Sequence, residues 1–346
     1  MNKGNLNPWK YLAALVFPLL LPAVLLGQDE LPTQLGGASR AGTAGAQFLQ
    51  LGISARATGM GETFVALVND VSAVYYNPGA LTELEENEAM FNHTTLPGGL
   101  RHFFAAVAHP FGPSGVLAVS FNMLTTGDIP VTRAFEGPTG ETFSASESAV
   151  GITYARKLTD RFSVGGTAKL ILEDFAGFDD RVVAFDLGTL YHTGFRKLNL
   201  GMSVSNFGPD LNFGRKRDSE GNLTFKGQSF PLPITFRFGV SVDVVNTEES
   251  KVFVGAQLVQ PNDNLRYETL GFEYSWNDIL FLRGGFKVDE ESDKDAVGDS
   301  NGFSENVSAG AGLKASLSGF TGRFDVSWVN QENLNNLVRF SIHLMF

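Results

Sequence analysis

The residues of this chain able to do chemistry are five histidines, a carboxylate-rich loop and many serines, and their spacing argues against a metal or nucleotide centre. His93, His102, His109, His192 and His343 never pair at the i, i+4 interval that puts two imidazoles on one helix face. Between Asp289 and Asn301 the run DEESDKDAVGDSN gathers carboxylates around a glycine, as a calcium loop does. Counted from Asp293, Asp295 is spaced correctly, but Val297 takes a ligand position and Ser304 stands where the bidentate Glu belongs. A solvated loop is the simpler reading. The chain has no cysteine, so disulfides, thiolate nucleophiles and a lipidated cysteine are excluded. Gly59-Met60-Gly61 has no parallel βαβ unit around it and is not a nucleotide loop.

What such residues would need is a scaffold, and the stretch that stands apart from the rest is Ala55 to Leu81, ARATGMGETFVALVNDVSAVYYNPGAL. Asn69 and Asp70 are good N-cap residues, because their side-chain oxygens can accept from the unpaired N–H groups of a first helical turn. They predict a short helix over 71–76. Asn77 precedes Pro78, which disfavours helical geometry there, and Gly79 supplies the freedom to turn. Gly52, Gly59 and Gly61 interrupt regular structure and permit close backbone approach. The stretch reads as a packed plug. The acidic run 83–88 closes it and reads as a solvated face.

At the N-terminus, Lys3 and Lys10 precede an apolar run from Tyr11 to Leu26, then Gly27 and the polar Gln28-Asp29-Glu30. This is the layout of a secretory signal peptide cleaved after Gly27. The rival reading, a membrane anchor, fits poorly because Pro18 and Pro22 break a run already short for a spanning helix. Net charge is −11, and the leader carries two Lys and no acid, so the mature chain is more negative still. A nucleic-acid partner held by phosphate contacts is therefore not expected.

From Glu88 onward the pattern changes to alternating segments of about ten residues. Over 232–243 Leu232, Ile234, Phe236, Phe238, Val240 and Val242 face one way, and Thr235, Arg237, Gly239, Ser241 and Asp243 the other. The segments 322–330 and 335–346 repeat this. Fourteen strands are predicted at 88–95, 101–109, 114–123, 144–156, 161–173, 181–192, 197–206, 232–243, 250–260, 265–275, 278–288, 304–314, 322–330 and 335–346. Connections after even-numbered strands are short, and those after odd-numbered strands include the long ones, 124–143, 207–231 and 289–303. An outer-membrane β-barrel has this asymmetry, with tight periplasmic turns and longer external loops. A soluble all-β sandwich also alternates. Its strands average only about five or six residues, however, and the loop parity would be accidental.

The expected fold is thus an all-β transmembrane barrel of about fourteen antiparallel strands with a short N-terminal helical plug. The domains are 1–27 leader, 28–87 N-terminal segment and plug, and 88–346 barrel. Residues 28–50 are expected to be loose, both termini periplasmic, and most histidines lumen or interface side chains. A barrel of this size has a lumen to fill, and the plug is at hand. The terminal Phe346 ends an alternating aromatic strand, resembling the signal by which such chains reach the barrel-assembly machinery. Ser, His and Asp side chains meeting in space, as in a barrel protease or phospholipase, are the enzymatic alternative; the expectation is no enzyme and no cofactor.

Arg56, Gly59, Gly61, Asn69, Asp70, Asn77, Pro78 and Gly79, set in ARATGMG, VA, ND, SA and YYNPGAL, resemble the N-terminal signature of the PorV/PorQ family. The family's members are outer-membrane barrels of the type IX secretion system of Bacteroidetes-like bacteria, similar in architecture to FadL long-chain fatty-acid transporters. The resemblance implies an outer-membrane, non-enzymatic protein that passes cargo bearing C-terminal sorting domains from the translocon to the surface attachment complex. It implies partners among outer-membrane lipid, translocon and attachment-complex subunits, and the cargo domains. FadL-type hatches read Asn-Pro-Ala, whereas here Gly79 precedes Ala80, which weakens transfer of the hatch mechanism but keeps the turn. The alternative is a FadL-like passive transporter of hydrophobic small molecules, gated by residues 55–81.

Overall fold

The computed structural model describes residues 42–135, 137–175, 178–212, 216–217, 223–225, 228–289, 307–317, 319–330 and 336–346. The chain divides into two units, Met1–Gly37 and Ala38–Phe346. The expected leader, residues 28–41 and most of the acidic 289–301 loop lie outside the described residues.

Fourteen antiparallel strands close into a barrel. They are β1 Glu88–Thr95, β2 Arg101–Pro110, β3 Val116–Thr125, β4 Ala145–Thr159, β5 Phe162–Phe175, β6 Phe178–His192, β7 Asn199–Phe207, β8 Thr235–Asn246, β9 Ser250–Pro261, β10 Tyr267–Trp276, β11 Leu280–Asp289, β12 Val307–Leu317, β13 Phe320–Val329 and β14 Leu337–Met345. Closure is made by β1 on β14, with Glu88 opposite Met345 and Thr94 opposite Arg339. All fourteen expected strands are present, none with an end displaced by more than three residues. The short and long connections alternate as expected. The long ones carry small hairpins, Ile129–Arg133 with Gly137–Phe143 and Leu211–Asn212 with Ser229–Phe230.

The alternation is inside out relative to a soluble protein. On β14, Arg339, Ser341 and His343 are buried in the barrel while Val338, Phe340, Ile342 and Leu344 are 40–49% exposed. The same holds on β8, where Arg237 and Ser241 point inward and Phe238 outward. Each large apolar side chain left in water forgoes about 1.5–3 kcal/mol, and dozens lie on this surface, so its solvent must itself be apolar. That excludes the sandwich. At the short-turn end the band is rimmed by Phe111, Tyr154, Tyr191, Phe195, Trp276, Phe320 and Phe346, the aromatic girdle of a membrane-spanning barrel.

The lumen is filled by residues 42–84. The segment 44–50, expected to be loose, is packed: Gln47–Gln50 forms a 3₁₀ turn in which Phe48 and Leu49 are buried against Ile171, Ala184 and Leu211. It sits at the long-connection end, where Gly45 N–H donates to the Pro231 carbonyl and Gln47 and Gln50 donate to Asp263. The chain then descends through α1 Ala55–Gly59, α2 Ala73–Tyr76 and a 3₁₀ turn Pro78–Glu83 to the short-turn end. There Phe346 N–H donates to the Asn87 carbonyl. The helix expected over 71–76 is shorter, starting at Ala73 with Ser72 as its N-cap residue. Asp70 still supports the first turn, its Oδ1 accepting from Ser72 N–H at 3.1 Å and its carbonyl from Ala73 N–H at 3.0 Å, whereas Asn69 Oδ1 is taken by Arg56 instead. Nor is the acidic run uniformly solvated: Glu85 and Glu86 are exposed, while Glu88 is buried and bonded to His343.

Candidate functional site

The plug meets the wall through close backbone seating at one level and buried charge at another. Asn77 makes the seating specific. Its Nδ2 donates to the Val65 carbonyl at 2.8 Å and to the wall carbonyl of Thr189 at 2.9 Å, and its Oδ1 accepts from Gly79 N–H at 3.1 Å. Pro78 and Gly79 then lie directly on the wall. A Cβ on Gly79 would stand 2.6 Å from the Gly188 carbonyl oxygen, and Gly165, opposite Gly188, would collide with Pro78 in turn. Gly61, at φ +64°, is another position that calls for glycine, since a Cβ would also come 3.0 Å from Phe286 N. Gly59 lies against Gly310 in the same manner.

The charged level is a closed ring of three arginines and three carboxylates, alternating in sign. Arg56, on α1, gives Nε and Nη2 to the two oxygens of Glu273 at 2.8 and 2.7 Å, and Nη1 to Asp70 Oδ2 at 2.9 Å. Asp70 Oδ2 also accepts from Arg323 Nη2 at 2.8 Å, and Arg323 Nε donates to Asp325 Oδ2 at 2.9 Å. Asp325 Oδ1 accepts from Arg283 Nη1 at 2.7 Å, and Arg283 Nε returns to Glu273 Oε2 at 2.5 Å. Every member is at most 8% exposed at its side chain. The formal charges cancel, which is what makes burial of six ions tolerable.

Topology explains who meets whom. Glu273 and Arg283 are directly opposite on β10 and β11. Arg283 reaches over β12 to Asp325 on β13 because Gly312 lies between them, where a Cβ would press on Asp325 Oδ1 and on Arg283 Nη1. The plug supplies one member of each sign, Arg56 and Asp70. Asn69 adds an acceptor for Arg56 Nη1 at 2.6 Å. Beside the ring, Glu88 accepts from Val71 N–H at 3.1 Å and contacts His343 Nδ1 at 2.6 Å. Arg339 of β14 donates to Thr58 and lies 3.4 Å from Glu62, whose other oxygen accepts from the Tyr76 hydroxyl at 2.7 Å.

Burial alone would raise the Asp70 carboxyl, but Arg323, His343 and Arg56 outweigh it and hold the group well below the usual carboxylate range. Burial pushes the Tyr76 hydroxyl up, and Glu62 adds to the effect. These shifts describe a latch with fixed charges, not a proton-transfer pair. Among the described residues no cluster of three His, Asp or Glu is placed to hold a metal. The crevice between plug and wall lined by Thr63, Phe64, Val65 and Gln257 is too small for a water.

Arg56, Gly59, Gly61, Asp70, Asn77, Pro78 and Gly79 therefore all face the wall in one plug, Asn69 is exposed and meets Arg56 of the same plug, and Phe346 lies apart at the rim. Their partners Glu273, Arg283, Arg323, Asp325, Arg339 and His343 were not singled out by motif. Their signal was a charged residue at the inward phase of an alternating strand, where Ser, Thr and Gly are the usual occupants.

Neither a family model nor a curated protein matches the chain. Solved structures do. The CymD monoaromatic hydrocarbon channel matches with a TM-score of 0.54 at 12% identity, over 85% of this chain and 98% of that one. The toluene transporter TodX of Pseudomonas putida matches with a TM-score of 0.54 at 12% identity, over 85% and 96%. At such identity the likeness is one of fold: this chain has the closed-barrel architecture of those two structures.

Proposed function

We propose that the protein sits in a bacterial outer membrane, short turns towards the periplasm, and is a FadL-like conduit for a hydrophobic small molecule that residues 42–84 close. The observation that carries this reading is the plug. It fills a barrel whose architecture is that of the channels CymD and TodX, and it is held by side-chain ion pairs and hydrogen bonds without any strand pairing to the wall. Such contacts can exchange partners without unzipping the barrel. The substrate class follows from what those two neighbours carry. Cells with and without the gene should differ in uptake of a labelled monoaromatic or long-chain hydrophobic probe, while secretion is unaffected.

A second reading rests on the density of the plug. The signature residues resembling the PorV/PorQ family are the ones spent on locking it, and the crevice beside Phe64 admits no water. A permanently filled barrel suits a secretion subunit that works through its external connections, including the hairpin Ile129–Phe143, by engaging a translocon, an attachment complex and cargo sorting domains. In the same deletion, cargo trapped in the periplasm with unchanged uptake would decide for this reading.

A further inference from the structure

Charge is segregated around the short-turn rim. The turns joining β8 to β9 and β10 to β11 carry Asp243, Glu248, Glu249 and Asp278 against Lys251. The neighbouring sector, from β4 to β7, carries Arg156, Lys157, Arg161, Arg196 and Lys197, with Asp160 as the sole acid within its turns. Lys157 is paired with Glu83 of the plug exit at 3.3 Å and Lys197 with Asp243 at 3.5 Å. Arg156, Arg161 and Arg196 are exposed and have no ion-pair partner among the described residues. In a chain of net charge −11 these are three unpaired cations on one sector of the rim, offset there only by Asp160.

Arg161 and Arg196 lie at adjoining turns, and Arg156 lies on β4 just before the first of them. The β6–β7 turn lies against Arg161, since a Cβ on Gly194 would be 3.2 Å from its guanidinium carbon. Arg196 sits over the Phe195 ring, 5.4 Å from its centroid. Directly beside them the lipid-facing surface offers Leu158 at 58% exposure, Phe195 at 66%, Tyr154 and Tyr191. A guanidinium cluster bordering an apolar band matches one kind of molecule in two parts: an anionic headgroup on the arginines and acyl chains along the leucine and aromatic rings.

We propose that the β4–β7 sector of the short-turn rim is a binding site for an anionic phospholipid of the adjacent leaflet. Arg156, Arg161 and Arg196 take the phosphate, and Leu158 and Phe195 seat the chains. The site needs only a membrane-spanning barrel and is independent of whether the lumen conducts.

The full chain purified in detergent can be titrated with phosphatidylglycerol and with phosphatidylethanolamine of the same acyl chains, bound lipid being counted by native mass spectrometry. Each basic side chain at such a surface contributes about fivefold, so the wild type should prefer phosphatidylglycerol by about tenfold or more, and R156Q/R161Q/R196Q should fall to within about twofold of parity. The preference should weaken in high salt. Heat-modifiable migration on gels checks that the variant barrel is folded. Lys314→Gln, at a different sector of the same rim, removes a charge without touching the site and should keep the preference. Equal binding of both lipids by the wild type, a triple variant that keeps its preference, or an equal loss in Lys314→Gln would each overturn the assignment.

Discussion

Arg56 of the plug and Glu273 of the wall, 217 residues apart in sequence, are joined by two parallel hydrogen bonds of 2.8 and 2.7 Å. This bidentate pair ties the helix Ala55–Gly59 to the barrel, and Glu273 uses a third bond to hold Arg283. Glu273→Gln keeps the shape and removes one charge from a neutral ring, leaving buried guanidinium groups uncompensated. Breaking a buried ion pair on one side costs about 3–5 kcal/mol. The barrel should still migrate as a folded, heat-modifiable species, while the plug becomes accessible to protease in detergent. Arg56→Lys should fail similarly, because an ammonium cannot make the parallel pair. A plug as protected as in the wild type would sink this account of the ring.

How much of this was legible beforehand follows from two kinds of signal. The barrel was, because side-chain period 2 repeated over fourteen segments, and the loop parity came free with it. The plug residues were, because Asn77-Pro78 and the glycines carry local stereochemical meaning. The ring was not. Glu273 pairs with Arg283 across one strand boundary, but Arg283 with Asp325 across β12, and Arg56 with Glu273 through the lumen; such contacts depend on register and closure, which no single segment encodes. Asp70 shows how far local reasoning reaches: its Oδ1 accepts from Ser72 N–H as a cap would, while the two arginines that meet its Oδ2 could be found only from the folded barrel.

Acid should leave the latch alone over the ordinary range. Burial raises the Asp70 carboxyl, but Arg323, His343 and Arg56 bring it well below its ordinary value of 3.8. A depressed carboxylate stabilises the folded state fully above its unfolded value, and the contribution is lost only as pH falls through the lower, native one. Plug protection measured by limited proteolysis should therefore be unchanged from pH 7 to pH 5 and should fall only below pH 3.8. Asp70→Asn should abolish that acid step and leave the plug exposed already at neutral pH. A loss of wild-type protection near pH 6 would contradict the assignment of Asp70 as the titrating member.

Phe346 contributes little to the finished barrel. Its ring is 46% exposed and its nearest aromatic neighbour, Phe320, is 6.4 Å away between centroids. Its backbone N–H bond to Asn87 survives any side-chain change. Phe346→Ala should thus lower the stability of refolded protein by no more than the transfer of one ring, at most about 1.5–3 kcal/mol. If the side chain is an assembly signal, the same variant should lower the folded, heat-modifiable fraction in cell envelopes several-fold. Equal loss in both assays would make the residue structural instead.

The plug can be fastened reversibly, because the chain contains no cysteine of its own. Thr63 on the plug and Thr269 on β10 are both buried, and the Thr63 hydroxyl donates to that of Thr269 at 2.7 Å. Side chains already aimed at each other at this range suit a disulfide in T63C/T269C. Oxidised, that variant holds the plug to the wall a few residues from α1; reduced, it restores two small, nearly isosteric side chains. If the lumen conducts a hydrophobic molecule by displacing the plug, uptake should fall to the level of the deletion strain under oxidant and return with reductant. If the protein works as a filled secretion subunit, neither uptake nor cargo export should respond to the redox state. The single-cysteine variants T63C and T269C separate the cross-link from the loss of the hydroxyl pair, since each removes the Thr63–Thr269 bond without being able to close the bridge.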